Sequence, residues 1–506
     1  MVTRITNQAQ QANSLQNIFR ITEKLFKTQQ EIATGKRINR PSDDPAGIRD
    51  ALLLRTNLKQ SNQFVKNIVN NRIFIEASDT SLNSINLSLI RAKELSVSEL
   101  GGVSTAETRN FAALEIDQLI SQVFDSANTK VKNRFIFSGT NFRVKPFSSE
   151  TSGAVYIGNS ETFKIGVENN VSIDFAIPGC KALATDLNPK LTTDTKLSSL
   201  NGGIGITPGS FSVSDRAGNT STIAVNSTDS IQDLITKINS ASVNVTASIN
   251  QNGRGLQLTD TNNIISKALT VSEVSGGTTA AELGILGKKD GTLNGFDLNP
   301  IITTSTLVSD LEDGNGIILN DIQIINGAAS ATVTLSSANT IGDVLNKINS
   351  ASVNVTASIN SAGKSLLIKS NDSKTVAIAK NIGPDETAEN LGLGGGRNIF
   401  VTLFKLSDAL KKNDKAAIIA SLESLDSSSE SINNSRAIIG ASLSRGDNKG
   451  SVHEQDIVTR SEQLSKIEDT DLVKSASDLA NLEFALQATL SSTAQILQPT
   501  LLDFLR

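Results

Sequence analysis

Along residues 7–135 the apolar side chains recur at helical intervals, and Pro and Gly are nearly confined to two points, residues 34–45 and Gly101-Gly102. Ahead of the first point Leu15, Ile18, Leu25 and Ile32 form a heptad stripe. Pro45 suits the first turn of a second helix, with Ser42 or Asp44 as its cap and the acidic side chains at its positive end. That helix should run to about Leu100, and Ser104 with Glu107 reads as the capping box of a third, reaching about Lys130. The C-terminal end mirrors the pattern. Leu472, Ala476, Leu479, Leu486, Leu490 and Leu497 make another heptad seam, preceded by a helical region over about Asn398 to Leu443. Helices this long exceed the usual globular range and point to coiled coil or assembly.

The middle, about residues 134–395, changes character. Gly, Ser, Thr and Asn rise, and short alternating apolar runs appear at Phe135–Phe137, Val155–Ile157, Phe211–Val213, Leu256–Leu258 and Leu366–Ile368, each a strand signal bounded by turn residues. The block KINSASVNVTASIN stands at 237–250 and again, unchanged, at 347–360. Fourteen identical residues in a row mark a duplication. Each copy should hold a strand, a short helix (Ile231 to Ile238; Ile341 to Ile348) and two further strands.

The expected fold is therefore mainly α. The N- and C-terminal ends pair in a long-helix bundle or coiled coil, and a β-rich (α+β) insertion of two tandem repeat modules projects between them. The expected domains are 1–40 with 468–506 as a terminal coiled-coil assembly domain, and 41–190 with 396–467 as a long-helix bundle with a β-hairpin. The repeats supply one β-rich module at 195–290 and another at 305–395.

Composition turns the reading away from catalysis. The chain has one His, one Cys, one Tyr and no Trp, whereas enzyme sites draw heavily on His, Cys and Tyr beside carboxylates. A net charge of −4 over 506 residues gives no large basic footprint for nucleic acid. Cys180 cannot form an internal disulfide and reads as a small, semi-buried hydrophobe. The polar N-terminal stretch lacks the apolar run of a cleavable signal, and no segment approaches a membrane span, so membrane insertion is not expected. By that test the chain is cytoplasmic or leaves the cell by another route.

Individual motifs add no chemistry. His453-Glu454 opens like the HExxH zinc helix, but position 457 is Ile, and His453 reads as a solvated residue near a helix start. Gly394–Gly396 and Gly202-Gly203 lack the Lys-Ser/Thr of a phosphate loop and read as hinges or turns. Lys36, Arg37 and Arg40 have no interleaved aromatics and are followed by Asp43 and Asp44, which suits a solvated or intersubunit ion-pairing loop. No catalytic residue, metal or cofactor is implied.

Residues 34–45, TGKRINRPSDDP, resemble the signature loop of the flagellin-like family, carried here by Gly35, Arg37, Asn39, Pro41, Asp43, Asp44 and Pro45. The segment 127–140 is similar to that family's turn from helical domain to β-hairpin. Residues 467–472 and 496–505 are similar to its C-terminal block, and the repeats resemble its IN-type insertions. The resemblance implies a secreted, extracellular structural component of the bacterial flagellum. It would be exported through the type III machinery, with an export chaperone as a further partner, and would polymerise as a ring at the hook–filament junction. Its neighbours there would be copies of itself, a hook-associated protein and flagellin. A flagellin of the filament body is the alternative, as is an adhesin role for the exposed β modules. The assembly interface is expected at Leu15, Ile18, Leu25, Ile32, Leu472, Leu479, Leu486, Leu490 and Leu497.

Overall fold

A computed structural model describes residues 7–150, 153–262 and 267–497. The helices are an N-terminal helix Asn7–Thr34, a first long helix Pro45–Ser98, a packing helix Ala106–Ala127, a return helix Ile399–Lys411, a second long helix Lys415–Glu468 and a C-terminal helix Leu472–Leu497. The β-rich region lies between the packing and return helices, so the mainly helical architecture with a β-rich insertion is as the hydrophobic pattern indicates. The chain divides into two compact units. One takes in the described residues up to Asn70, Gly166–Ser172 and those from Arg445 onward; the other takes in Asn71–Ile165 and Ile173–Ser444.

In the first unit the N-terminal and C-terminal helices pack along one another. Ile18, Ile21, Leu25 and Ile32 are half-buried on one side, and Leu479, Leu482 and Leu486 on the other. Thr22, Thr489 and Thr493 return their hydroxyls to the carbonyls of Ile18, Ala485 and Thr489 at 2.7–2.9 Å, so none of the three hydroxyls is left without a partner.

In the second unit the packing helix lies against the return helix, and the Phe400 ring meets those of Phe124 at 4.4 Å and Phe147 at 5.2 Å, both tilted. Its cap lies one residue beyond the expected one. Thr105 accepts from the Thr108 N–H at 3.2 Å and donates its own N–H to the Thr108 hydroxyl at 3.0 Å, while Ser104 turns its hydroxyl to Glu99. Buried Arg109 donates to the carbonyls of Glu99 and Ser104 at 3.2 Å and to Asn413 Oδ1 at 2.7 Å. A cation is thereby placed at the negative end of the first long helix. The helical region expected over 398–443 is broken. Asn413 takes φ +56, and Asp414 restarts the chain by accepting from the Ala417 N–H at 3.1 Å.

Cys180 is fully buried, and burial pushes its thiol up to about 12, so no reactive thiolate forms at neutral pH.

The two modules share a plan with one more strand on each side of the helix than the sequence pattern indicates. In the first, strands Gly209–Ser214 and Thr220–Val225 precede helix Ile231–Asn239; strands Val245–Ile249, Leu256–Asp260 and Leu269–Glu273 follow. The second repeats this with Ile322–Asn326, Ala329–Val333, helix Ile341–Asn349, Val355–Ile359, Leu366–Ser370 and Ala377–Asn381. Thr-rich strands such as TSTIAV alternate weakly and were not visible as apolar runs.

The repeated 14-residue block has a shared structural job. Asn239 clamps Ala247 through both its amide groups (2.6 and 3.2 Å), and Asn349 clamps Ala357 in the same way (2.6 and 3.1 Å). Each helix is thus tied to the strand after it, and the apolar side chains of the block fill the module cores. The first module adds two short strands, Gly287–Lys289 paired with Leu269–Glu273 and Thr292–Asn294 paired with Leu256–Asp260, one in each of its sheets.

Asp297 closes the first module, where burial pushes its carboxyl up to about 6. An acid raised in the folded state costs stability once it must ionise, so that cost appears as pH rises from about 4 to 6 and persists above it. Asp297→Asn keeps the Oδ1 that accepts from the Asn299 N–H at 2.7 Å. It should stabilise the chain by up to ~3 kcal/mol at pH 7.5 and by nothing near pH 4. Denaturant titrations at both pH values check this; equal gains at both would contradict it.

Candidate assembly interface

The signature loop begins where the N-terminal helix stops. Gly35 takes φ +68, a left-handed exit that favours glycine. Its carbonyl then accepts from the Thr470 N–H at 3.0 Å, Lys36 forms an antiparallel bridge with Asp469, and the Arg37 N–H donates to the Glu468 carbonyl at 2.6 Å. The loop is thus zipped by its backbone to the turn that joins the second long helix to the C-terminal helix.

Side chains lock that zipper. Arg37 donates to the Ile467 carbonyl at 2.8 Å and pairs with Asp44 at 3.2 Å. Asn39 donates to the Lys36 carbonyl at 2.8 Å, and Ile38 between them is buried. Pro41 opens a tight turn closed by the Asp43 N–H on the Arg40 carbonyl at 2.9 Å. Asp43 accepts from the N–H groups of Arg40 and Asn39, and Asp44 caps the first long helix by accepting from the Gly47 N–H at 2.8 Å, with Pro45 in its first turn. The Arg40 N–H above all holds the Asp43 carboxyl below its ordinary range, and the Gly47 N–H does the same for Asp44. All seven signature residues are therefore brought together in one loop.

Sequence reading missed three residues that complete it. Glu468 is buried, and its carboxylate receives Lys36 at 2.7 Å and Arg55 at 2.6 Å. Burial would raise that carboxyl, but the two cations outweigh it and hold it below the ordinary range. Gly47 is the third. A Cβ there would sit 2.5 Å from Asp44 and 2.9 Å from Ile38. Lys36 and Arg37 both have intrachain partners, Glu468 and Asp44, while their own side chains stay largely exposed.

His453 is a correction. It is buried rather than solvated: its Nε2 lies 2.6 Å from the Val167 carbonyl and its ring 5.2 Å from that of Phe64. The carbonyl comes from a hairpin tip far away in the chain, which also pairs Glu168 with Lys449 at 2.6 Å, so no local pattern could have revealed it.

The structure divides the expected interface residues into half-buried and exposed ones. Ile18, Leu25, Ile32, Leu479 and Leu486 are half-buried along the helix pair, while Leu15, Leu472 and Leu490 are exposed. Leu497 ends the C-terminal helix, and its side chain and the block from Gln498 onward lie outside the described residues. Further large apolar side chains are exposed on the same two helices: Phe19 (70% exposed), Phe26 (68%) and Phe484 (73%), with Val473 beside Leu472. The N-terminal helix thus carries two apolar stripes: one is spent on its partner helix, and the other, Leu15, Phe19 and Phe26, faces solvent.

Among the described residues no helix is long and apolar enough to cross a membrane, and no group of three or more His, Cys, Asp or Glu is placed to hold a metal ion.

The family model described as the bacterial flagellin N-terminal helical region matches residues 5–142, and the flagellin hook IN motif matches residues 210–262. The flagellar filament 33 kDa core protein of Treponema phagedenis is 29% identical over 140 residues, 28% of this chain and 47% of that protein. Flagellar hook-associated protein 3 of Escherichia coli (strain K12) is 27% identical over 181 residues, 35% of this chain and 56% of that protein. The chain spans about half the length of these curated relatives. Among solved structures, flagellar hook-associated protein-3 of Legionella pneumophila aligns over 82% of this chain and 98% of its own at 15% identity, with a TM-score of 0.39. The chain is similar to the flagellins: residues 5–142 match the model of their N-terminal helical region, and residues 210–262, in the first inserted module, match the flagellin hook IN motif.

Proposed function

We propose that this chain is a structural, non-catalytic subunit of the bacterial flagellum that polymerises as a ring between hook and filament, in the manner of the junction protein FlgL. The observation that carries the reading is the second apolar stripe, Leu15, Phe19 and Phe26, left uncovered on a terminal helix whose other stripe is already paired. A monomer has no use for three large exposed side chains at heptad spacing; a neighbouring copy does. The partners are further copies, a hook-associated protein on one side and flagellin on the other. Delivery is through the type III export machinery, with an export chaperone shielding the stripes before assembly.

Immunogold labelling of intact flagella tests this. Gold confined to the hook–filament boundary is the expected result; gold along the whole filament would replace it with the second reading, a filament-body flagellin. That second reading is supported by the likeness to a Treponema protein named as a filament core protein. A double substitution, Phe19→Ser with Phe26→Ser, should leave the helix pair intact by circular dichroism yet lower incorporation by about tenfold or more, since each ring buried at an interface contributes roughly 1.5–3 kcal/mol.

A further inference from the structure

The tetrapeptide Asp-Leu-Asn-Pro occurs at 186–189 and again at 297–300, each time just ahead of one module. By chain order the first belongs with the first module and the second with the second. Their seats are reversed. Leu187 is fully buried in the core of the second module with Ile302, Val308 and Leu311, and Leu298 is buried in the core of the first with Leu191, Leu197 and Leu200.

The backbone bonds repeat position for position. The Leu187 N–H donates to the Lys364 carbonyl at 2.8 Å, and the Leu298 N–H donates to the Arg254 carbonyl at 2.9 Å, the same place on each module's β-turn. In return, the N–H groups of Glu312 and Asp313 donate to the carbonyls of Leu187 and Asn188 (both 2.8 Å). Those of Asn201 and Gly202 donate to Leu298 and Asn299 (2.7 and 2.8 Å). The Lys190 N–H reaches the Asp310 carbonyl at 2.7 Å, and the Ile301 N–H reaches that of Ser199 at 2.9 Å. Both segments open with the same turn, Asn188 N–H on Asp186 Oδ1 and Asn299 N–H on Asp297 Oδ1. One residue later each chain segment changes module: the Leu191 N–H bonds to the Gly253 carbonyl at 2.6 Å and the Ile302 N–H to the Gly363 carbonyl at 2.8 Å. The buried ion pair of Asp186 with Lys364, 2.7 Å, fastens the first segment to the second module.

We infer that residues 186–190 are a closing strap of the second module and residues 297–301 the closing strap of the first, so that the first module is a self-contained insert nested between the second module and its strap. The straps cross at Lys190-Leu191 and Ile301-Ile302. The second module is split in sequence and is complete only when the segment before the insert is seated; the first is continuous from Leu191 to Ile301. Such an exchange keeps every core closed while adding one repeat of 111 residues, which gives the duplication a physical basis. Excising 191–301 joins Lys190 to Ile302, two residues already seated on the same module. Excising 302–393 instead leaves the 186–190 strap with nothing to cover.

Hydrogen exchange read by mass spectrometry on the full chain tests this. Leu187→Ala should raise exchange in strands 322–326 and 377–381 by about tenfold or more and leave strands 209–214 and 269–273 at wild-type protection, although residue 187 precedes the first module in the chain. Leu298→Ala should do the converse. Loosening of the first module by Leu187→Ala, or no loosening of either, overturns the inference. Excision of 191–301 gives a readout that creates no cavity: the second module's strands should keep their protection, and their loss of it would equally overturn the nesting.

Discussion

Removal of residues 473–506 is expected to abolish incorporation into the axial structure, with the residue 71–165 and 173–444 unit still folded. The N-terminal helix has no other packing partner of comparable extent among the described helices. Its half-buried Ile18, Ile21, Leu25 and Ile32 face Leu479, Leu482 and Leu486, and each apolar side chain fully buried is worth roughly 1.5–3 kcal/mol. Without that seam a lone helix of 28 residues with few apolar positions is marginal in water, and its ordering entropy is no longer offset. The loss should therefore reach beyond the deleted segment: the stripe of Leu15, Phe19 and Phe26 keeps its residues but loses the rigid helix that aligns them. Far-ultraviolet circular dichroism should show more helix lost than the deletion itself removes, and a filament assay should show no incorporation. Wild-type incorporation of the truncated chain would sink the proposal that the terminal helices make the axial contacts. Excision of residues 198–393, by contrast, is expected to spare incorporation, because both modules lie outside the helix pair; a well-folded deletion that fails to assemble would count against that assignment.

The heptad spacing located both terminal helices but not their faces. A heptad stripe is built of three- and four-residue steps, so spacing alone groups Leu15 with Ile18 and Leu490 with Leu486. Packing separates them, and it also recruits Phe19 and Phe26, whose own sevenfold spacing marks a second stripe. The signature loop was visible as a motif because its chemistry is local: Gly35 exits a helix, Pro41 turns, and Asp44 caps. Its partner Glu468 is more than 400 residues away, and nothing near it in the chain says which cations it meets. His453 was misread for the same reason, since the Val167 carbonyl that receives it is 286 residues distant. The exchanged straps show the limit in its plainest form. The repeat was conspicuous in the sequence, yet the order of segments along the chain assigns Leu187 to the wrong module.

The clasp at Glu468 should respond asymmetrically to substitution. Lys36→Met with Arg55→Met leaves a buried carboxylate without either cation, and removing the partners of a buried charge typically costs about 3–5 kcal/mol. Glu468→Gln, which removes the buried charge and leaves two half-exposed cations free to rehydrate, should cost only about 1–2 kcal/mol. The pH dependence separates the two variants further. A carboxyl held below its ordinary range in the folded state contributes stability that is fully present above its unfolded value of 4.5 and is lost as pH falls through the lower folded value. In Lys36→Met/Arg55→Met the sign reverses: with only burial acting, the folded carboxyl rises, and the penalty should fade as pH drops below about 4.5, where the group is protonated in either state. Denaturant titrations at pH 7.5 and pH 4 measure both effects. Equal losses for the two variants at pH 7.5, or a loss in the double variant that persists undiminished at pH 4, would show that Glu468 is a spectator. The loop would then be held by its backbone bridge to Asp469 and Thr470 alone.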